Sequence, residues 1–196
     1  TLQVLHEPGK KAQSKSYIWL YRTGRDAPQQ LVLYEYQDSR RAAHPEDFLN
    51  GFKGYLHADG YAAYYKIPDI KVAACWAHVR RKYEEALQGT AKSEVTKLTN
   101  IQTGKQYCDR LFAIESEIND LPAGERLQKR KEIVEPLLKE FHDWLFRMND
   151  GPKSLLGKAA HYNRKQWQWL TTYLEDGRLE ISNNRAERSI KPFVMG

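Results

Sequence analysis

Cysteine is scarce in this sequence: 196 residues contain only Cys75 and Cys108. Two thiols cannot build the multi-bridge framework of small secreted folds, and nothing marks the chain as secreted, so reduced side chains are expected. Long apolar runs are missing too. Stretches such as Leu31-Val32-Leu33-Tyr34 are far short of the ~20 residues needed to cross a bilayer, and no secretory signal is present, which points to a cytoplasmic protein with no membrane partner. Also missing are a glycine-rich phosphate loop, a Ser-His-Asp constellation and a paired Cys-x-x-Cys. Their absence disfavours kinase-like and hydrolase-type nucleophilic chemistry.

The composition that remains, 41% apolar and 29% charged, is that of a folded globular protein. The length allows one sizeable core, as a single domain with a large insertion or as two small domains. Lys and Arg number 31 against 25 Asp and Glu, a net charge of +6 that favours polyanions without proving that one binds. The chain opens at Thr1 rather than Met and stops after Phe193-Val194-Met195-Gly196, so it reads as a piece of something longer.

Residues Ser16 to Arg22 and Gln30 to Tyr36 are rich in β-branched and aromatic types and flank turn chemistry at Thr23-Gly24-Arg25-Asp26-Ala27-Pro28. This pattern predicts an antiparallel hairpin. A shorter strand over Leu2 to Leu5 is expected before it, then a Pro8-Gly9 turn and a basic loop through Lys10, Lys11 and Lys15. His44-Pro45-Glu46-Asp47 has the proline and acids of a helix start, and that short helix should end near Gly51 or Gly54. Strands are expected over Tyr55 to Asp59 and Val72 to Trp76, with a helical stretch around Tyr61 to Lys66 between them. The alternation indicates an α/β core with a partly parallel sheet.

From about His78 to Glu175 the period is helical. Leu127, Val134, Leu138, Phe141 and Leu145 form one stripe and Leu111, Ile114 and Ile118 another, while Pro136 should kink or break its helix. Helical hairpins inserted into, or appended to, the α/β core are expected.

Several residues could carry chemistry, and each also has a plainer explanation. Asp59 ends a strand ahead of Gly60, where its carboxylate would project from the sheet edge, but Asp-Gly is also a common turn. Period two places Tyr55, His57 and Asp59 on one strand face. Glu187 follows Ser182-Asn183-Asn184; with Asn184 as N-cap it would sit at N3 and close a capping box. The same helix carries Asn184, Glu187, Arg188 and Lys191 on one face, which is also how a solvated surface looks. Cys75 and His78 form a Cys-x-x-His pair, but four-ligand zinc would need a second pair that the chain does not supply. A buried thiol and a hydrogen-bonding histidine are the expectation there, and Cys108 is expected to be a core thiol. The basic elements Arg80-Arg81-Lys82, Lys129-Arg130-Lys131 and Arg164-Lys165 read individually as solvent-facing, and Trp167 and Trp169 as core aromatics rather than base-stacking platforms.

Three strings in order carry a family resemblance: Gly51-Phe52-Lys53-Gly54-Tyr55-Leu56-His57-Ala58-Asp59-Gly60-Tyr61, Cys75-Trp76-Ala77-His78-Val79-Arg80-Arg81-Lys82, and Asp176 to Arg188 with its Ser182-Asn183-Asn184-Arg185-Ala186-Glu187-Arg188 end. Together with the opening Val4 to Lys11 and the strand Ser16 to Arg22, they resemble the insertion sequence 66 family of bacterial transposases over essentially the whole chain. The resemblance implies an α/β fold: a ribonuclease H-like mixed sheet flanked by helices, with a large all-helical insertion before the final Glu-bearing helix. On this reading residues 1–89 form the first part of the catalytic core, 90–175 the insertion and 176–196 the final part.

The family's Asp, Asp, Glu triad maps its second Asp onto Asp59 and its Glu onto Glu187, as catalytic residues and metal ligands. Its first Asp belongs to an Asp-Glu-Thr string whose threonine resembles Thr1, so this chain is expected to begin just past that aspartate and to be inactive alone. Glu7 and Asp26 do not match its position. The resemblance further implies a two-metal Mg²⁺ or Mn²⁺ site, strand cleavage and transfer on transposon-end and target DNA, and nucleoid association. It also implies self-association in a transposition complex and small accessory proteins as partners. Carboxylates suit hard divalent cations, which stabilise both the attacking and the leaving oxygen of a phosphodiester. Arg80, Arg81, Arg188 and Lys191 are the candidate DNA contacts, and Cys75 and His78 would support the site from behind. The competing reading is a nucleic-acid-binding or assembly module of the same fold without catalysis.

Overall fold

The computed structural model describes residues 1–4, 9 and 15–193. Glu7, the Pro8 side of the expected turn, Lys10 and Lys11 of the basic loop, and Val194 and Met195 lie outside them.

Strands β1 (Leu2–Val4), β2 (Ser16–Arg22) and β3 (Val32–Gln37) form an antiparallel meander, with Leu2 opposite Ile18 and Trp19 opposite Glu35. The third strand starts two residues later than its composition predicts because the turn consumes the polar groups ahead of it. The Gln30 amide donates to the carbonyls of Gly24, Arg25 and Ala27, and the Leu31 N–H donates to Thr23 Oγ1. Period-two alternation turns Trp19 and Tyr21 toward helix α1 (Ala43–Phe48), where Tyr21 stacks on Phe48 at 3.7 Å between ring centroids.

Strands β4 (Gly54–Ala58) and β5 (Ile70–Ala74) pair in parallel, Ala58 opposite Ala74, joined through a 3₁₀ turn at Tyr64–Lys66. The sequence leads one to expect a single mixed sheet. Among the described residues there are instead two small sheets, because the three-residue β1 ladders only with β2 and β4 only with β5.

Helix α2 (Trp76–Gly89) starts directly after β5, so Trp76 opens a helix rather than closing a strand. Its indole N–H donates to Leu170 O at 3.0 Å and its backbone N–H to Ile181 O at 3.1 Å, which fixes it at the centre of the molecule. Helices α3 (Val95–Glu117) and α6 (Leu155–Leu170) pack on α2, and α5 (Glu135–Arg147) on α3 and α6, around one continuous apolar core, while α4 (Ala123–Lys129) leads into α5 outside it. That core includes Trp76, Tyr83, Leu111, Phe141, Leu145 and Leu170, each contributing roughly 1.5–3 kcal/mol by leaving water. The two predicted stripes face it through Val134, Leu138, Phe141 and Leu145, and through Leu111 and Ile114, and Ile118 is buried as well. Trp167 meets Trp76 and Phe141 edge-on, and Trp169 lies 4.0 Å from the Tyr65 ring, so both tryptophans pack internally. The break expected at Pro136 is a π-helical turn, Arg130–Val134, joining α4 to α5; the ring has no N–H to continue the ordinary ladder.

Two arginines are internal, and one of them, Arg130, was expected at the surface. Arg130 is 2% exposed and pairs bidentately with Glu115, at 2.8 and 2.7 Å, while donating to the carbonyls of Tyr173, Asp176 and Leu179. One turn earlier, buried Arg126 donates to the carbonyls of Gly177, Asn119 and Leu121 and pairs with Asp26 in the β2–β3 turn. These forked donors satisfy carbonyls of an irregular segment that no ladder serves. Arg164 likewise donates to Leu145 O and Met148 O, closing the C-terminal end of α5.

Candidate functional site

Asp59 is the first residue beyond β4, at the carboxyl end of the parallel pair. The chain turns at Gly60, whose φ of +80° favours glycine, and the Tyr61 N–H donates to Asp59 Oδ1 at 3.2 Å. Turn and projecting carboxylate therefore coexist: one oxygen stabilises the turn, and the other lies 3.9 Å from an Arg40 guanidinium nitrogen. Helix α6 backs this turn, since a Cβ on Gly60 would lie 3.2 Å from Gln166 Nε2 and 3.4 Å from the Tyr162 hydroxyl.

Glu187 lies on helix α7 (Asn184–Ser189), whose N-cap is Asn183. The helix begins one residue before the predicted start, so Glu187 falls at its fourth position and no side-chain cap bond forms. The capping-box expectation fails on this register. Instead Glu187 Oε1 lies 3.5 Å from His78 Nε2, and Oε2 lies 3.8 Å from Arg81.

His78, in the first turn of α2, is the element common to both acids. Burial lowers its pKa and Arg81 pushes the same way, while Glu187 and Asp59 both pull it up. Two carboxylates distant in sequence thus act on one imidazole.

The segment leading to α7 is tied to the strand ends. His57 Nε2 donates to Glu180 O at 2.7 Å, and burial pushes the His57 pKa down to about 4, so the ring is neutral. Tyr55, on the same strand face, donates to Glu175. Cys75 precedes α2 with its thiol buried and its pKa raised by that burial, while the backbone N–H groups of Asn183, His78 and Ala77 oppose the shift. Cys108 is buried in α3, also with a raised pKa. Among the described residues no three His, Cys, Asp or Glu side chains gather closely enough to hold a metal ion.

The four basic candidates sit in different settings. Arg80 is engaged with Asp109 at 2.5 Å, and Arg81 is half exposed beside Glu187. Both line an open groove of about 600 Å³ with Asp109, Phe112 and Asn184. Arg188 and Lys191 are exposed, Arg188 on α7 and Lys191 just beyond it. Sequence reasoning missed Arg40, which reaches Asp59 across a loop and leaves no periodic signal. It named the His57 face without seeing that the ring holds the 180 segment.

The whole chain, residues 1–196, matches the model of the Transposase IS66 family. The chain belongs to that family. Three proteins of Sinorhizobium fredii are similar to it: uncharacterized protein y4hP at 33% identity over 91% of this chain, y4qI at 29% over 94%, and y4jD at 28% over 96%. The chain spans only 36 to 39% of the length of these curated relatives. No solved structure matches it. Family membership indicates a transposase-related function, and among the described residues no helix is long and apolar enough to cross a membrane.

Proposed function

We propose that this chain is the catalytic region of a metal-dependent DNA transposase in which Asp59 and Glu187 hold divalent cations. The observation that carries the reading is that Glu187 lies 3.5 Å from His78, whose imidazole also feels the charge of Asp59 at the carboxyl end of β4. A three-stranded antiparallel meander followed by a parallel β-unit, a helical segment and a final Glu-bearing helix supports a ribonuclease H-like core.

The donor set fits Mg²⁺ or Mn²⁺. Both groups are hard oxygen donors; their contacts with Arg40, His78 and Arg81, at 3.5 to 3.9 Å, are too long to be hydrogen bonds, and the Tyr61 N–H engages only the Oδ1 of Asp59. A bound metal pair supplies charge stabilisation at the attacking and leaving oxygens of a phosphodiester. In this chain Asp59 and Glu187 would hold it, His78 would orient Glu187, and Arg188 and Lys191 would contact flanking phosphates. A third carboxylate of the complete protein would complete the set. The complete protein would act on transposon-end and target DNA in a self-associated complex, with small accessory proteins as further partners.

The test is nicking and joining of transposon-end DNA in Mg²⁺ by the full-length protein. Asp59→Asn and Glu187→Gln should each abolish both reactions, and residues 1–196 alone should give no strand transfer. Full activity in either variant would remove the catalytic assignment.

A further inference from the structure

Each carboxylate of the site has its own arginine, and the two arginines come from different elements. Arg40, in the loop before α1, lies 3.9 Å from Asp59 Oδ2; Arg81, on α2, lies 3.8 Å from Glu187 Oε2. Neither makes a hydrogen bond to its carboxylate, and both side chains are substantially exposed, at 41% and 53%. Arg40 is nevertheless kept in place: its guanidinium lies 4.6 Å from the centre of the Tyr61 ring, and its carbonyl accepts from the Tyr61 hydroxyl at 2.6 Å. The same tyrosine donates its N–H to Asp59, so Arg40 is attached to the turn that carries the acid it faces.

From this arrangement we infer that Arg40 and Arg81 are exchangeable counter-charges: they neutralise Asp59 and Glu187 while no metal is bound, and bind a DNA phosphodiester once a divalent cation takes the carboxylates. The inference rests on the proposed reading of Asp59 and Glu187 as metal ligands. Exposed ion pairs of this length hold weakly, so a cation shared by the acids displaces them at little cost. Displacement leaves two planar guanidinium groups beside the site without counter-ions, and such forked donors suit phosphate oxygens. Metal and DNA binding are then linked, and the linkage is reciprocal: metal strengthens DNA binding, and DNA strengthens metal binding.

The experiment uses the full-length protein, with Mn²⁺ binding followed by electron paramagnetic resonance and duplex DNA binding measured with and without Mn²⁺. Without DNA, Arg40→Gln and Arg81→Gln should each tighten Mn²⁺ binding by about two- to fivefold, the scale of one exposed ion pair. Both should lose the gain in DNA affinity that Mn²⁺ gives the unsubstituted protein. Arg40→Lys and Arg81→Lys keep the charge and should restore the original Mn²⁺ affinity. Glutamine variants with unchanged or weaker Mn²⁺ binding would overturn the exchange while leaving the metal-ligand reading intact. Mn²⁺ binding that is absent, or unaffected by Asp59→Asn, would overturn both.

Discussion

Arginine serves opposite purposes in two regions of this molecule. In the helical segment Arg126 and Arg130 are buried and donate to backbone carbonyls of the 173–179 segment, with Glu115 and Asp26 as counter-ions. At the candidate site Arg40 and Arg81 are exposed and approach their acids without a hydrogen bond. The first pair fixes backbone; the second supplies charge that water and ions can replace. The difference teaches where the rigidity of the site originates. Glu187 is reached only through a segment whose carbonyls the buried arginines hold, so the helical segment positions the acid from a distance while the site keeps its own charges loose.

The largest effect that could break this comparison is at Arg130. Replacing it with Met leaves Glu115 buried without a partner and the Tyr173 and Leu179 carbonyls without a donor, and should cost about 3–5 kcal/mol in urea unfolding. The double substitution Arg130→Met with Glu115→Leu should recover part of that loss; a loss below about 1 kcal/mol for Arg130→Met alone would mean that the clamp is not structural. A smaller effect is expected at Gly177, where an added Cβ would lie 1.7 Å from Ala123 O. Gly177→Ala forces the 177 segment away from α4 and should destabilise by roughly 1–3 kcal/mol. The smallest belongs to the site: Arg40→Gln and Arg81→Gln should each change unfolding free energy by under about 1 kcal/mol. A larger loss at either would erase the contrast between the two regions.

The sequence discloses what depends on near neighbours. The meander, the parallel strands and the helical stripes follow from periods of two and 3.6, and each appears within a few residues of its expected place. Arg130 was illegible because Lys129-Arg130-Lys131 reads as a solvated run, while its burial depends on Glu115 in another helix and on carbonyls more than forty residues further along. The Glu187 register slipped because Ser182, Asn183 and Asn184 are all cap-type residues, and local preference cannot choose among them. Asp59 and Glu187 themselves stood out by resemblance, their spacing being equally compatible with a turn and a cap. Arg40 had no local signature, since it meets its acid only after α1 and β4 fold the chain back.

Both native thiols are buried, with raised pKa values. The thiolate is the form that alkylating and spin-labelling reagents attack, so the folded chain is close to silent toward them. An exposed position such as Arg188 can therefore be converted, as Arg188→Cys, into a single reporter without first removing Cys75 or Cys108. The surroundings of α7 can then be followed in a chain whose own sulfur chemistry supplies the blank.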